Sequence, residues 1–479
     1  MKKFIATFII AFITFNSVIS QSCLPEGIVL YNQSQIDNFK TDYPNCTEIE
    51  GQLSISGANI VNLNGLNNLT AVGGFIDIFY CDALTSLTGL DNVTSIGGGL
   101  SIGFNDALIN LSGLNNLTSI GDNLYIDQNE ALINFIGIES LTSVGTDIDI
   151  INSTITSLSG LDNLSYVGGD LTIQGTSAIS NLSGLNNLTY IGGDFTLFSN
   201  DALLNLVGLE NLNIIEGNLI IGNSLMNWGN QSLTSLTGLD NVSAIRGHLK
   251  IQNNNALINL SGLGNVDTIY YGIDITQNES LTSLIGLNNL STSSGSLTIE
   301  NNDALISIGK LANLNLFYGW ISIRDNDALT SLVGLENLDE AFITDLIIYG
   351  NSSLSTCEVR SICNYLPSPN GLILIYGNSS GCNSQHEIEV ACENSGIPNI
   401  NIDSKFSIYP NPAGIKLNIS CRNNTVLEEI NIYNQIGQIV LHKNKISETI
   451  DVSMLQQGMY FIELVSNKVK YREKLIIKN

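Results

Sequence analysis

Three histidines, His248, His386 and His442, are the natural starting point for acid–base chemistry in this 479-residue chain. Catalysis needs such groups within hydrogen-bond reach of a partner, and their positions in the middle, later part and end of the chain do not bring them together. The expectation is that the chain has no Gly-x-Ser-x-Gly elbow, no His-Glu-x-x-His pair and no phosphate-cradling loop. Carboxylates are plentiful, with pairs such as Asp147/Asp149 and Asp325/Asp327. Two carboxyls about 5–9 Å apart could cleave a glycosidic bond, but spaced two residues apart on short extended stretches these read as solvated strand and turn residues. Recurrent Asn-Asp-Ala-Leu turns carry Asp106, Asp201, Asp303 and Asp327. They lack the dense ligand sets of calcium loops and read as turn formers. The expectation is a chain that is not an enzyme, with no metal and no cofactor.

Eight cysteines add a second kind of chemistry. Cys23 and Cys46 bracket a short segment near the start, and Cys357, Cys363, Cys382 and Cys392 cluster later. They form no Cys-x-x-Cys pair and have no histidine at ligand spacing, so they read as disulfide staples at two ends, not as a metal site. Four clustered cysteines allow three pairings, and all three stay open. Cys421 has no evident partner.

The formal net charge is −26, which disfavours nucleic acid and anionic membrane as partners. The acid is uneven. Residues 51–356 hold 28 Asp and Glu against 4 Lys and Arg, whereas residues 401–479 hold 7 against 10. That change of sign marks a boundary between two modules. Lys2 and Lys3 followed by the apolar run Phe4–Phe15 read as a signal peptide ending at Ser20. Ser20-Gln21-Ser22 is a poor lipobox for a lipoprotein anchored at Cys23, and no later segment is long and apolar enough to span a membrane.

What must position these residues is a repeat. A Gly-Leu or Gly-Ile step recurs at Gly65, Gly89, Gly113, Gly137, Gly160, Gly184, Gly208, Gly238, Gly262, Gly286 and Gly334, with a degenerate copy at Gly309. The usual spacing is 24 residues, and one spacing of 30 reflects an insertion around Asn223–Asn230. In the unit Leu100–Asn123, Leu100 and Ile102 alternate with polar residues as in a short strand with one buried face. Leu108, Leu111, Leu114, Leu117 and Ile120 then recur every third residue, which suits a coil that turns often. Coils stacked at about 4.8 Å share burial that one coil alone could not use to offset the entropy of ordering its backbone. Three residues after the second strand apolar stands an asparagine: Asn105, Asn129, Asn200, Asn254, Asn278, Asn302, Asn326 and Asn351. Stacked, these amides can satisfy buried backbone groups. Cys81 occupies the same slot and reads as a buried, unreactive thiol. Asn-x-Ser/Thr triplets such as Asn116-Leu117-Thr118 follow from the repeat.

The pattern resembles leucine-rich repeats, most closely the receptor L-domain-like repeats of bacterial surface proteins, over about residues 51–380. The resemblance implies a right-handed parallel solenoid used for recognition. The fold expected is all-β dominated: a leucine-rich parallel β-solenoid of about 12–13 coils, with N-terminal cap 21–50, coils 51–356, Cys-containing cap 357–392 and linker 393–404.

Residues 405–479 carry seven short alternating stretches separated by turns, the pattern of a small antiparallel β-sandwich. "FSIYPNPA", "INIYNQIGQIV" and the closing "GMYFIELVSNKVKYREKLIIKN" resemble the type A C-terminal sorting domain of type IX secretion. The resemblance implies export across an outer membrane by the type IX machinery and an extracellular or cell-surface location. By position it assigns the signal to Pro410, Asn411, Pro412, Gly437, Gly458, Tyr460, Lys474 and Lys478.

Between the buried strand residues one row points outward: Asp77, Ser101, Tyr125, Asp149, Thr172, Thr196, Ile220, Lys250, Asp274, Thr298, Ser322 and Ile347. A second row holds Phe79, Asp127, Phe198, Gln252, Glu300, Arg324 and Tyr349. Exposed aromatics beside acids suit contact with an extracellular glycan or protein, and Phe79, Tyr80, Phe104 and Tyr125 are expected to cluster. The function expected is recognition or adhesion through this face. A structural surface-layer role and a carboxylate-dependent glycan-active enzyme are the alternatives.

Overall fold

The structure, a computed structural model, describes residues 21–176, 178–223, 228–395, 406–421, 427–435, 437–444, 449–466 and 469–478. The signal-peptide reading and most of the linker lie outside the described residues. So do residues 224–227 of the insertion and the side chain of Cys421.

Two parallel sheets run the length of the first body. One has 13 two-residue strands and the other 15 strands, mostly of four residues. Each coil up to Gly319–Arg324 contributes one strand to each, and the last two coils add only a long strand. Ser119–Ile120 belongs to the short-strand sheet, the chain turns a corner, and Leu124–Asp127 enters the long-strand sheet. Register is kept residue for residue, with Leu100, Leu124 and Ile148 in one line. Leu108, Leu111, Leu114, Leu117 and Ile120 all point into the core and are essentially solvent-free. The glycine of each Gly-Leu step sits where the preceding coil comes closest. Gly113 has φ +116°, and a Cβ there would collide with the carbonyl of Leu87.

The solenoid has about 15 turns, more than the 12–13 expected. The extra turns come from the ends. Ile28–Leu30 pairs in parallel with Leu53–Ile55, and Ile373–Tyr376 pairs with Leu346–Tyr349. These end coils lack a Gly-Leu step at its repeat position after the long strand, so the 24-residue period does not mark them. Helix Gln33–Asp42, capped by the Asn32 side chain, lays Ile36 and Phe39 on one end of the core. Helices Arg360–Tyr365 and Gln385–Asn394 close the other. Disulfide Cys23–Cys46 staples the first end. The open pairing at the second resolves as Cys357–Cys382 and Cys363–Cys392.

The asparagine ladder is built as expected and runs further. Asn278 Nδ2 donates to Ile251 O at 2.9 Å, and its Oδ1 accepts from Asn254 N at 3.0 Å. Asn230, at the end of the insertion, and Asn378, in the last turn, extend the ladder. Ser153, Thr176 and Cys81 fill the remaining slots. Cys81 is solvent-free, and burial pushes its thiol up to about 11.

Two further ladders escape the sequence pattern. On the outer turn, Asn92, Asn116, Asn163, Asn187, Asn241 and Asn289 each donate to a carbonyl of the preceding coil. The hydroxyls two residues on, such as Thr118 onto Thr94 O at 3.2 Å, do the same. Both ends of the Asn-x-Ser/Thr triplets are thus spent on stacking. At the corner before the long strands, Asp147, Asp170 and Asp194 each accept the backbone N–H one coil on, and Asn218 and His248 continue the column.

The C-terminal body has its own core around Leu417, Ile430, Ile432, Ile462 and Leu475. A three-stranded and a four-stranded antiparallel sheet enclose it, which are the seven strands expected.

Candidate functional site

The outward rows exist as drawn. Asp77, Ser101, Tyr125, Asp149 and Thr172 stand in one line across adjacent strands. Phe79, Gly103, Asp127, Ile151, Gln174 and Phe198 form the next. Outward geometry does not always mean exposure. Asp127 and Gln252 are each 7% exposed and Ser322 3%, because longer neighbours fold over them. Ser322 lies beneath Glu300, to which its hydroxyl donates at 2.9 Å.

Beyond the second row, each long strand from Ile76–Phe79 onward ends in a sharp turn whose residue holds a positive φ. Gln128, Asn152, Ser199, Asn253, Gln277, Asn301 and Asp325 have φ between +42° and +59°, and Gly175, Gly350 and Gly377 take the same place. Small, amide or acidic side chains suit that conformation. Two coils break the rule: Tyr80 has φ +56° and Phe104 φ +55°. Their rings stack at 5.0 Å and 22°, and Phe79 lies 6.3 and 6.5 Å from them. Tyr80 is 56% exposed. Three of the four aromatics expected to cluster therefore do. The fourth, Tyr125, joins no ring contact among the described residues. Its hydroxyl donates to Asp127 Oδ2 at 3.0 Å, and burial together with that carboxylate pushes its phenol up to about 12.

The remaining predicted residues form separate stations along the face. Phe198 stacks on Trp228 at 6.1 Å. Trp228 enters from the insertion, where Asn223 and Trp228 pair as a small antiparallel bridge, and no periodic signal marks it. Further along, Arg324 donates to Glu300 at 2.7 Å and to the Tyr349 hydroxyl at 2.7 Å, and Tyr349 stacks on Tyr376 at 4.8 Å. Burial raises the carboxyls of Asp77, Asp149 and Asp274, against hydrogen bonds from Ser101 and Ser54, from Thr172, and from Gln252 respectively. The side chains that hydrogen-bond these carboxylates are neutral, while Asp147 and Asp170 add repulsion at Asp149. Against the expectation, two Gly-x-Ser-x-Gly strings occur, one at Gly377–Gly381 between the strand Ile373–Tyr376 and the helix Gln385–Asn394, the other at Gly99–Gly103. The latter runs along the strand Leu100–Gly103 with Leu100 and Ile102 buried, so it is no nucleophile elbow. No group of three metal-ligating side chains occurs among the described residues.

In the C-terminal body, Asn411 ties the signal residues together. Its Oδ1 accepts from Ile476 N at 2.9 Å and its Nδ2 donates to Lys474 O at 2.6 Å. Pro410 and Pro412 flank it, each after a cis bond. Lys478 bonds Ala413 through its backbone N–H. Gly437 takes φ +74° in a turn closed by Asn434 and Gln438. Gly458 opens the strand Gly458–Ser466, and the Tyr460 hydroxyl donates to Gln456 O at 3.0 Å.

Residues 407–478 match the family model described as secretion system C-terminal sorting domain. The C-terminal body is a type IX secretion sorting domain. The chain is accordingly exported to the outer cell surface or the extracellular space. The sorting domain rests on the short-strand side of the solenoid. Phe461 packs on Phe342 and Tyr318 at 4.4 and 5.7 Å, Lys474 lies 5.6 Å from the Tyr318 ring, and Gly437 meets Leu316 and Thr292. The chain also resembles Beta-agarase D of Zobellia galactanivorans, 33% identical over 101 residues. The likeness covers 21% of this chain and 20% of that protein. No described helix is long and apolar enough to cross a membrane.

Proposed function

We propose that this is a cell-surface or secreted recognition protein that binds an extracellular glycan or protein through the long-strand face of its solenoid. The observation that carries the reading is the Tyr80–Phe104 pair. A bulky residue in the left-handed region costs on the order of 1–2 kcal/mol, and here two adjacent coils bear that cost at a partly exposed site. Strain held in an exposed aromatic pair marks a contact surface better than exposure alone does. The type A class of sorting domain and the receptor L-domain-like character of the repeat belong to the same reading. The carboxylates of the face serve as hydrogen-bond partners and not as acid and base.

An array of glycans and extracellular proteins, probed with the purified chain, tests this. A specific ligand should appear and should be lost on Tyr80→Asn with Phe104→Asn. Specific binding that ignores this pair, or no binding at all, would sink the proposal.

The likeness to a protein named as an agarase favours a second reading, a glycan-active enzyme. New reducing ends released from an agar or similar polysaccharide, and lost on Asp127→Asn or Asp149→Asn, would support it over the first.

A further inference from the structure

The Phe79 ring lies over Gly103. A Cβ on Gly103, the next residue in its row, would sit 2.5 Å from Phe79 Cε1. One strand further in that row is Asp127, 7% exposed, whose Oδ2 takes the Tyr125 hydroxyl. Its Oδ1 is buried and has no hydrogen-bond partner among the described residues. A buried carboxylate oxygen left without a donor is unfavourable. Here it stands beside an aromatic platform, across a gap that only glycine leaves open. The site thus holds an apolar ring, an unfilled acceptor just beneath the surface and a phenol beside it.

A pyranose ring has that complementarity, with C–H groups on one face and hydroxyl donors around the rim. Charge narrows the class. The solenoid segment 51–356 carries 28 acidic against 4 basic residues, and of the two basic residues on this face Arg324 is already paired with Glu300. Sulfated and uronate polymers are repelled. Length narrows it again. Counting strands at about 4.8 Å each, the Phe79, Phe198 and Tyr349 stations lie roughly 24 and 29 Å apart. A standard protein interface of about 800 Å² per partner is roughly 28 Å on a side and would cover at most two neighbouring stations. A polymer lying along the axis reaches all three. The sorting domain sits on the short-strand side and leaves this row clear.

We propose that Phe79, over Gly103 and beside Asp127, seats a pyranose ring of an uncharged polysaccharide, and that the Phe198/Trp228 and Tyr349/Tyr376 pairs take later rings of the same chain. The proposal rests on the recognition reading and names its ligand class. Native gels cast with a neutral glucan, galactan, mannan or xylan, or with a sulfated or uronate polysaccharide, test it on the full chain. At least one neutral polymer should retard the protein. Phe79→Ala, and Gly103→Ala, which lifts the Phe79 ring, should each weaken retardation about tenfold or more, while Tyr166→Ser with Tyr190→Ser on the other face leaves it unchanged. Melting curves confirm that each variant is folded, and Phe79→Ala, at the surface, keeps the test available if Gly103→Ala does not fold. Retardation by charged polymers alone, or neutral retardation indifferent to Phe79, overturns the proposal. If no polysaccharide binds but a protein ligand is lost with Tyr80 and Phe104, the sugar assignment fails and the recognition reading stands. If neither kind of ligand is found, both fail.

Discussion

Tyr80 and Phe104 occupy equivalent places in successive coils, stacked at 5.0 Å, each in a left-handed backbone that other coils give to glycine, serine, amides or aspartate. Strain and stacking work against each other there. Relief of the left-handed conformation is worth on the order of 1–2 kcal/mol per residue, and an aromatic pair contributes about 0.5–1.5 kcal/mol beyond its burial. Tyr80→Asn with Phe104→Asn should therefore raise stability slightly, by about 1 kcal/mol. Urea unfolding measures this, and a loss above about 3 kcal/mol would assign the pair to packing.

The interior ladder predicts a large and local cost. Asn278→Ala removes the donor to Ile251 O and the acceptor for Asn254 N in a solvent-free position. A destabilisation of about 2–4 kcal/mol is expected. Asn265→Ala, which cuts one exposed bond to Asp240 O, should cost about 1 kcal/mol or less. Hydrogen exchange should show the Asn278→Ala effect concentrated in neighbouring coils.

Cys81 gives the converse. Its sulfur sits 3.8 Å from Ile55 O, where an amide would donate as Asn105 does to Ile78 O at 2.9 Å. Cys81→Asn should stabilise by up to about 1 kcal/mol. The native thiol, held up near 11 by burial, should resist alkylation at pH 8 and react on unfolding.

Acid should strengthen this solenoid. Burial raises Asp77, Asp149, Asp274 and Asp303 in the folded state. A raised carboxyl favours the protonated form, so its contribution is complete below the unfolded value near 4 and is lost as pH rises through the folded value. Melting temperature should climb as pH falls from neutral towards about 4. His248, lowered by burial and by Lys250, opposes this as one group against four. Asp274→Asn should flatten the slope, and a melting temperature that falls steadily over this range would contradict the assignment.

Removing residues 405–479 should leave the protein in the periplasm. Cell fractionation reads this directly, and normal surface display of the shortened chain would refute the sorting role.

The parallel coils, the inward leucines and the seven-stranded tail were legible because each repeats at a fixed interval or follows a known order. The ladder that holds Cys81 was legible for the same reason. Asn116 and Asn163 were not, because their bonds reach into the preceding coil, and a triplet such as Asn116-Leu117-Thr118 looks like an ordinary surface motif. Trp228 was hidden by the break in period that the insertion makes. Phe79, Tyr80 and Phe104 could be placed together from register, but their backbone conformation could not. Only the left-handed φ values distinguish this cluster from Tyr166 and Tyr190, stacked at 5.1 Å on the other face.

Those two clusters give the most direct test of which face binds. Any ligand found for the purified chain should be titrated against Phe79→Ala with Tyr80→Asn and Phe104→Asn, and separately against Tyr166→Ser with Tyr190→Ser. The long-strand-face variant is predicted to lose binding by about a hundredfold, with the other unchanged. Full affinity in the first and loss in the second would move recognition to the short-strand face and contradict the account.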